Sequence, residues 1–395
     1  MSKKQVPNEL YPEFLGSASL NPFQQGTSAS RGQMYASSHL GQMLVINGST
    51  ERNTLTGMER EYGKYTFKIA MPVDGKILEV IPRYQQTIGK DSINSNPQTI
   101  VVYEDVETKE IGIVNLVDYC CNHQYFGFRY QHRPAMNQIR PGNFIRKGTV
   151  FLDSPSITDE GGYKYGVQAN VAYMTHPATA EDGVIVSDAL LPALGFKTYE
   201  TRVVDWGKKE FALNLYGDEL NYKCFPDLGE PVRADGVLMA LRTYEPDELA
   251  IVKQSRMDCM EVDHTFDRTF YANGPGGRVV DIKIHHDAAD YNAAAVNMDG
   301  QAQRYDKGRR KFYSDIVRVW TSLHKAQGQA LQVTAEFHNL VMQAMAVMRE
   351  GLPNVPRVQK LYRKAPLDTY RVEITIEYDI TPATGFKLTD CYGGK

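Results

Sequence analysis

Two adjacent carboxylates, Glu181 and Asp182, are the side chains whose type and spacing point most directly to chemistry. They lie in Asn170-Val-Ala-Tyr-Met-Thr-His-Pro-Ala-Thr-Ala-Glu-Asp-Gly-Val-Ile-Val-Ser-Asp188. A strand-like apolar run, Val171 to Met174, leads in, and a second, Gly183 to Val186, leads out. Two carboxylates on a Pro-containing loop offer the oxygen ligands that a hard cation such as Mg²⁺ requires. They also read as a solvated acidic turn, the commoner fate of such loops. A second candidate, Arg31, lies in a Pro-free stretch, 28–43, that predicts a short helix and also carries Met34, His39 and Gln42. A guanidinium there is either a surface charge or a phosphate clamp, which its planar fork suits. The third is the loop Thr381-Pro-Ala-Thr-Gly-Phe-Lys-Leu-Thr-Asp-Cys-Tyr-Gly-Gly-Lys395. Its glycines, with Lys387 and Lys395, resemble a phosphate cradle. Lys395, in a Gly-Gly tail, reads equally as a disordered end.

The chain of 395 residues is long enough for two or three domains with real cores. Hydrophobic residues make up 42% and charged residues 23%, an ordinary globular balance that excludes a disordered chain. A net charge of −3 argues against a basic coat for nucleic acid and leaves a local basic patch open. No apolar run approaches the ~20 residues that span a bilayer. The first residues, Met1-Ser-Lys-Lys-Gln-Val-Pro-Asn-Glu9, lack the apolar core of a signal peptide. The five cysteines, Cys120, Cys121, Cys224, Cys259 and Cys391, form no Cys-x-x-Cys pair. Neither a zinc knuckle nor a disulfide frame is indicated, and a reducing compartment is the simplest inference.

The positioning elements are mostly strands. Asp74-Gly75, between apolar runs in 68–80, predicts a hairpin. A second hairpin joins Thr99–Tyr103 to Ile111–Leu116. The stretch Tyr119 to Arg133 mixes aromatics with Arg129, His132 and Arg133, residues that either stack on bases or pack at a domain edge. Pro141–Phe151 and Leu228–Leu238 share a pattern of glycine, short step, second glycine and strand. They read as similar turns of small curled barrels. Short strands continue through 200–285, where Gly274-Pro-Gly-Gly277 matches no phosphate-loop spacing and reads as a turn into a strand. Residues 306–350 carry Ile316, Val317, Trp320 and Leu323, then Val333, Phe337, Leu340, Val341, Met345 and Met348, at helical spacing broken at Gly328. Arg309-Arg-Lys311 reads as a solvated face or a phosphate contact. Finally Val372, Ile374, Ile376, Tyr378 and Ile380 alternate with Glu373, Thr375, Glu377 and Asp379, which predicts a strand with one wet face. The fold class is α+β, mostly β.

The order of several blocks carries a resemblance. Ala18-Ser-Leu-Asn-Pro-Phe23, Arg31, Met34 and Gln42 come first, then Thr56-Gly-Met-Glu-Arg60, Asn115-Leu116, Asn137-Gln138 and Phe151-Leu-Asp-Ser-Pro-Ser156. Gly166, Gln168 and Val171-Ala-Tyr-Met174 lead to Glu181-Asp182, and Gly385-Phe-Lys387 and Gly393-Gly-Lys395 close the series. In this order they resemble the β subunit of multisubunit DNA-directed RNA polymerase, over nearly the whole chain and most clearly over 16–188 and 370–395. There are departures. Phe386 replaces an Asp, and Asp390-Cys-Tyr392 replaces Gly-Arg-His. The loop before Glu181 is one residue shorter, and one residue is inserted between Met34 and Gln42. The family's large N-terminal lobes and its C-terminal end have no counterpart, so the chain is similar to the split β polypeptides of giant bacteriophages.

The resemblance implies a double-psi β-barrel assembled from distant segments. A helix-and-loop region would occupy 1–60, the barrel and its hairpins 61–199, a flap-like insertion of small barrel plus helices 200–365, and a returning strand with the lysine loop 366–395. Lys387 and Lys395 would touch the RNA 3′ end and nucleotide phosphates, Arg31 the triphosphate, and Gln42 the RNA. Glu181 and Asp182 would lie beside the second Mg²⁺. The tight Mg²⁺ would be held by an Asp triad on a β′-like partner, since no Asn-Ala-Asp-Phe-Asp-Gly-Asp occurs here. The other implied partners are the remaining β fragments, the DNA template, the RNA product, nucleoside triphosphates and a σ-like promoter-specificity subunit, with no membrane. The implied location is the host cytoplasm, a phage nucleus-like compartment or the virion. The chain would supply part of an active site and be inactive alone. A single-chain two-barrel polymerase would need its own metal triad. The competing expectation from another class is a non-catalytic virion or assembly protein with a degenerate barrel. Such a copy has no physical reason to keep Arg31, Glu181, Asp182, Lys387 and Lys395.

Overall fold

The computed structural model describes residues 16–36, 45–65, 68–85, 93, 95–123, 126–181, 183–206, 210–243, 257–287, 300–350 and 369–388. Among the described residues, 3-10 turns at Gly16–Leu20 and Gln24–Gly26 precede short helices α1 (Ala29–Met34) and α2 (Met58–Tyr65). Strands β1 (Lys68–Ala70), β2 (Gly75–Pro82), β3 (Gln98–Asp105), β4 (Ile111–Val117), β5 (Tyr119–His123), β6 (Phe126–Arg129), β7 (Gln131–His132), β8 (Phe144–Ile145) and β9 (Val150–Asp153) follow. After the one-turn helix α3 (Leu191–Leu194) come β10 (Phe196–Trp206), β11 (Glu210–Ala212), β12 (Val237–Thr243), β13 (Arg268–Tyr271) and β14 (Arg278–Asp287). Two helices, α4 (Gly300–Gln327) and α5 (Ala335–Glu350), precede the last strand, β15 (Thr369–Ile380). Among the described residues the strands make four sheets, ordered β1-β9-β7, β14-β15-β10-β6-β5, β11-β12-β13 and β4-β3-β2-β8. The class is α+β and mostly β. No helix among the described residues is long and apolar enough to cross a membrane.

β15 is the spine of the largest sheet. It pairs antiparallel with β10 from Tyr370 to Ile380 and with β14 from Thr369 to Glu377. Its alternation buries Val372, Ile374 and Ile376 completely. The face expected to be wet is so only in part: Asp379 is exposed, but Thr375 and Glu377 are each only 7% exposed. Glu377 accepts from Arg129 Nε at 2.8 Å, Lys197 Nζ at 3.0 Å and the Tyr199 hydroxyl at 2.8 Å. Burial alone would raise its carboxyl, but Arg129 and Lys197 outweigh it and hold the group below the usual carboxylate range.

The expected β3–β4 hairpin forms, in register from Gln98↔Val117 to Glu104↔Ile111. β3 is buried on both faces, so Ile100, Val101, Val102 and Tyr103 form a continuous apolar run. The hairpin expected at Asp74-Gly75 does not form. β1 pairs with β9, whereas β2 pairs with β3 and β8, so the two runs lie in different sheets. Asp74 is a junction instead: its carboxylate accepts from Lys147 N at 2.7 Å and its carbonyl from Val106 N at 2.9 Å.

The helical break at Gly328 is present, with a single turn at Gly328–Ala330 between α4 and α5. α4 has two packing partners along its length. Ala302 and Tyr305 join a core with Val204, Val279, Ile284, Val372 and Ile374. Phe312, Ile316 and Val319 join another with Ile81, Ile100, Val102 and the α5 residues Phe337, Val341 and Ala344. The Arg309-Arg-Lys311 run is not a purely solvated face. Arg309 is 4% exposed, and Arg309 Nη2 and Arg310 Nε each donate to Asp306 at 3.0 Å.

Candidate functional site

α1 carries Arg31, and Ser28 caps its first turn by accepting from Arg31 N at 3.4 Å. The segment is anchored on both sides of Arg31. Leu20 is fully buried, and its carbonyl accepts from Arg52 Nη1 at 3.3 Å and from the Tyr165 hydroxyl. Tyr35 is buried, and its hydroxyl accepts from the same Arg52 nitrogen at 3.3 Å. The Arg52 guanidinium stands 4.9 Å from the Tyr165 ring centroid. Burial pushes the Tyr163 and Tyr165 phenols far up, so both stay neutral donors. Nothing in the sequence singles out Arg52, an isolated arginine in a polar loop whose partners are carbonyls and phenols. The Thr56-Gly-Met-Glu59 block closes the next turn: Glu59, 4% exposed, accepts from Thr56 N at 3.0 Å and Gly57 N at 2.9 Å.

The segment Ile46–Thr50 then holds both flanks of the acidic loop. On the downstream side Asn47 N donates to Gly195 O at 2.7 Å and Gly48 N to Ala193 O at 2.8 Å. On the upstream side Thr50 N donates to Gly166 O at 3.0 Å, and its hydroxyl accepts from Gln168 N at 2.7 Å. The approach requires glycine at 48, where a Cβ would lie 2.5 Å from that of Ala193.

Between these flanks the two expected strands are absent: neither 171–174 nor 183–186 joins a sheet. Val171, Tyr173, Met174, Val184 and Ile185 are 55–77% exposed. A strand needs an edge to pair with, and among the described residues none pairs with these runs. Glu181 is exposed at the turn closed by Gly183 N donating to Ala180 O at 3.0 Å. Its φ of +51° is left-handed, a conformation that costs a non-glycine residue roughly 1 kcal/mol.

Lys387 follows Gly385 and Phe386 in the loop after β15. The Phe386 ring stands 6.2 Å from that of Phe196. Phe196 opens β10, pairs with Ile380, bridges to Ile46 and meets Phe126 edge-on at 5.4 Å. The segments bearing Arg31, Glu181 and Lys387 are therefore tied to one framework built around Ile46–Thr50, Tyr165 and Phe196. The three charged groups are exposed and make no hydrogen bond or ion pair among the described residues. Other arginines are engaged: Arg83 with Asp281 at 2.7 Å, Arg133 with Asp153 at 2.6 Å and Arg242 with Asp267 at 2.7 Å. Within the Tyr119–Arg133 stretch, Tyr119 stacks on Tyr199 at 5.2 Å and Arg129 pairs with Glu377, while His132 is exposed.

Gln42, Asp182 and Lys395 lie outside the described residues. Among the described residues no three His, Cys, Asp or Glu are grouped to hold a metal ion. The free Glu181 carboxylate fits as one peripheral oxygen donor to a hydrated Mg²⁺ and does not form a cage. No protein-family model and no curated protein matches the chain.

Proposed function

We propose that this chain is a β-like piece of a multisubunit DNA-dependent RNA polymerase, with its double-psi barrel completed by other polypeptides. The observation that carries the reading is the shared framework of the preceding section. It holds three segments far apart in sequence, each presenting a free charge of the type a nucleoside triphosphate and its metal require. In this reading Lys387 and Lys395 hold the RNA 3′ end and the nucleotide phosphates, where a flexible ammonium suits a moving charge. Arg31 offsets charge on the leaving pyrophosphate, Gln42 hydrogen-bonds the RNA, and Glu181 and Asp182 face the nucleotide's own cation. Mg²⁺, when bound, neutralises phosphate charge and polarises the α-phosphate. The RNA 3′-oxygen forms a bond to the α-phosphorus, the bond to the β-phosphate oxygen breaks, and pyrophosphate leaves. The tight metal site belongs to a β′-like partner. The bare apolar runs on either side of Glu181 are surface for a further β-like polypeptide to cover.

The test is co-expression with a β′-like subunit and the remaining β-like pieces, followed by an assay of nucleotide addition on a primed template. Lys387→Ala and Asp182→Ala should each lower the rate by about 10²–10³-fold, the usual effect of removing one preorganised charge-stabilising group. An active complex indifferent to both changes would overturn the assignment.

A further inference from the structure

Two stretches of the chain fold into similar pairs of turns, and only one leaves its positive charge free. In the first, Arg140-Pro-Gly-Asn143 is closed by Asn143 N donating to Arg140 O at 3.1 Å. Arg146-Lys-Gly-Thr149 is closed in the same way, Thr149 N to Arg146 O at 3.2 Å. The third residue of each is glycine, Gly142 at φ +91° and Gly148 at φ +78°, as a type II turn requires. β8 runs between the turns, with Phe144 opposite Lys76 and Ile145 opposite Gly75. Gly142 N donates to Ile77 O and Gly148 N to Met71 O, both at 2.8 Å, which fixes the turns on β2 and its approach. In the second copy Glu230 N closes on Asp227 O and Gly236 N on Arg233 O, each at 3.0 Å. Gly229 is again the third residue of its turn at positive φ, whereas Gly236, also at positive φ, is the fourth residue of its turn, and Pro231 bridges to Arg278 between the turns.

The charges differ. Arg233 is neutralised inside its own turn by Asp235, Nη2 to Oδ2 at 2.7 Å, and its Nη1 donates to Leu215 O at 3.0 Å. The corresponding turn of the first copy holds Lys147 and no carboxylate. Asp74, which reaches that turn, accepts from the Lys147 backbone N–H at 2.7 Å. Glu104, across from Lys76 on β3, pairs with Lys109 at 3.4 Å. Lys76, Arg140, Arg146 and Lys147 are exposed, and their charged groups make no hydrogen bond or ion pair among the described residues. Phe144 lies between the turns at 54% exposure.

We propose that this β8 edge binds single-stranded nucleic acid, the four cations contacting phosphates and Phe144 stacking under a base. An open aromatic face needs an unpaired base, which selects a single strand over a duplex. Along an extended strand the two arginine turns span up to ~20 Å, enough for several nucleotides. The surface is separate from the groups around Phe196, and the reading does not rest on polymerase activity.

The test is fluorescence anisotropy of a short labelled oligothymidylate with the full chain, over a range of sodium chloride. Each phosphate-bound cation contributes a slope of about −0.7 in log K against log salt, so the slope should be about −3. The variant Arg140→Gln/Arg146→Gln/Lys147→Gln should flatten it by about 2 and weaken binding roughly 100-fold at 0.1 M salt. Phe144→Ala should weaken binding roughly 5- to 100-fold and leave the slope unchanged. Lys307→Gln/Arg318→Gln/Lys325→Gln removes the same charge from exposed positions on α4 and should bind normally. An equal loss in that control, equal affinity for a duplex, or displacement by polyglutamate as effective as by unlabelled oligonucleotide would each overturn the proposal. Unchanged circular dichroism and melting establish that each variant is folded.

Discussion

His285, on β14, is 8% exposed, with Nδ1 3.1 Å from Arg309 Nη1 and Nε2 3.8 Å from Glu373. Burial, then the charges of Arg309, Lys283 and Arg371, lower its pKa to about 3, against the pull of Asp306. The folded ring is therefore neutral, while the unfolded ring titrates near 6.5. Above that value both states are neutral and the histidine adds no pH dependence. As the pH falls from 6.5 towards 3, the unfolded chain takes up a proton that the folded chain refuses. Stability then falls by up to ~1.4 kcal/mol per pH unit. Between pH 7 and pH 5, urea unfolding should show a loss about 2 kcal/mol larger in the native chain than in His285→Gln. Equal losses would mean that the ring is already charged when folded. Glu377 makes the opposite case, a charge kept because it is paired. Glu377→Ala leaves the Arg129 guanidinium and the Tyr199 hydroxyl without their acceptor, while Lys197 keeps Asp379 at 2.7 Å, and should cost about 2–4 kcal/mol in the same measurement. Lys387→Ala, at an exposed unpaired side chain, should stay within about 0.5 kcal/mol of the native chain. A folding role at Glu377 and the chemical role proposed for Lys387 are thus separable by measurement.

Helix α4 passes so close to β2 that one position has no room for a methyl group. A Cβ at Gly308 would lie 2.8 Å from Tyr84 Cδ1. Tyr84 has nowhere to retreat: it is 1% exposed, its hydroxyl donates to Ile282 O at 2.5 Å, and Tyr305 meets it edge-on at 5.5 Å. Gly308→Ala should therefore destabilise the protein by about 1–3 kcal/mol. Gly32→Ala, in α1 with open space around it, should follow helix propensity and stabilise by up to about 1 kcal/mol. Denaturation midpoints moving in the same direction would defeat this account.

The same elements show what the sequence made legible. The break at Gly328, the β3–β4 hairpin and β15 rest on local alternation or local turn chemistry, and all three could be read. The partners of β1 and β2 arrive with β8 and β9, so a local Asp-Gly signal wrongly suggested that the two strands pair. Packing at a domain edge was one of the two readings of Arg129, but its partner could not be named because that carboxylate lies 248 positions away. At the candidate site the exposed charges of Arg31, Glu181 and Lys387 were legible. The clamp made by Arg52 was not, because no spacing rule records a guanidinium shared between a carbonyl and phenols.

At the scale of the whole molecule, α4 and the buried Arg83–Asp281 pair fasten the β2–β4 sheet to the β10–β14–β15 sheet. Against that framework the segment around Glu181 is anomalous. It carries two apolar runs of strand composition, it is held at both flanks, and it makes no ladder of its own. Backbone amides without ladder partners exchange quickly. Amide exchange in the isolated chain should therefore be fast over 171–186, compared with β3 and β15. If the proposed β-like partner covers this segment, assembly with it should slow exchange, because a strand-forming partner supplies the absent hydrogen bonds and covers the apolar side chains. Val171→Asp/Met174→Asp sharpens the test. Both side chains are more than 60% exposed, so melting of the isolated chain should barely change. In the complex the two carboxylates would be buried without partners, and assembly should weaken by at least about 10-fold, the effect of ~1.4 kcal/mol. Exchange that stays fast in the proposed complex, or assembly indifferent to the two aspartates, would show that no partner covers this segment.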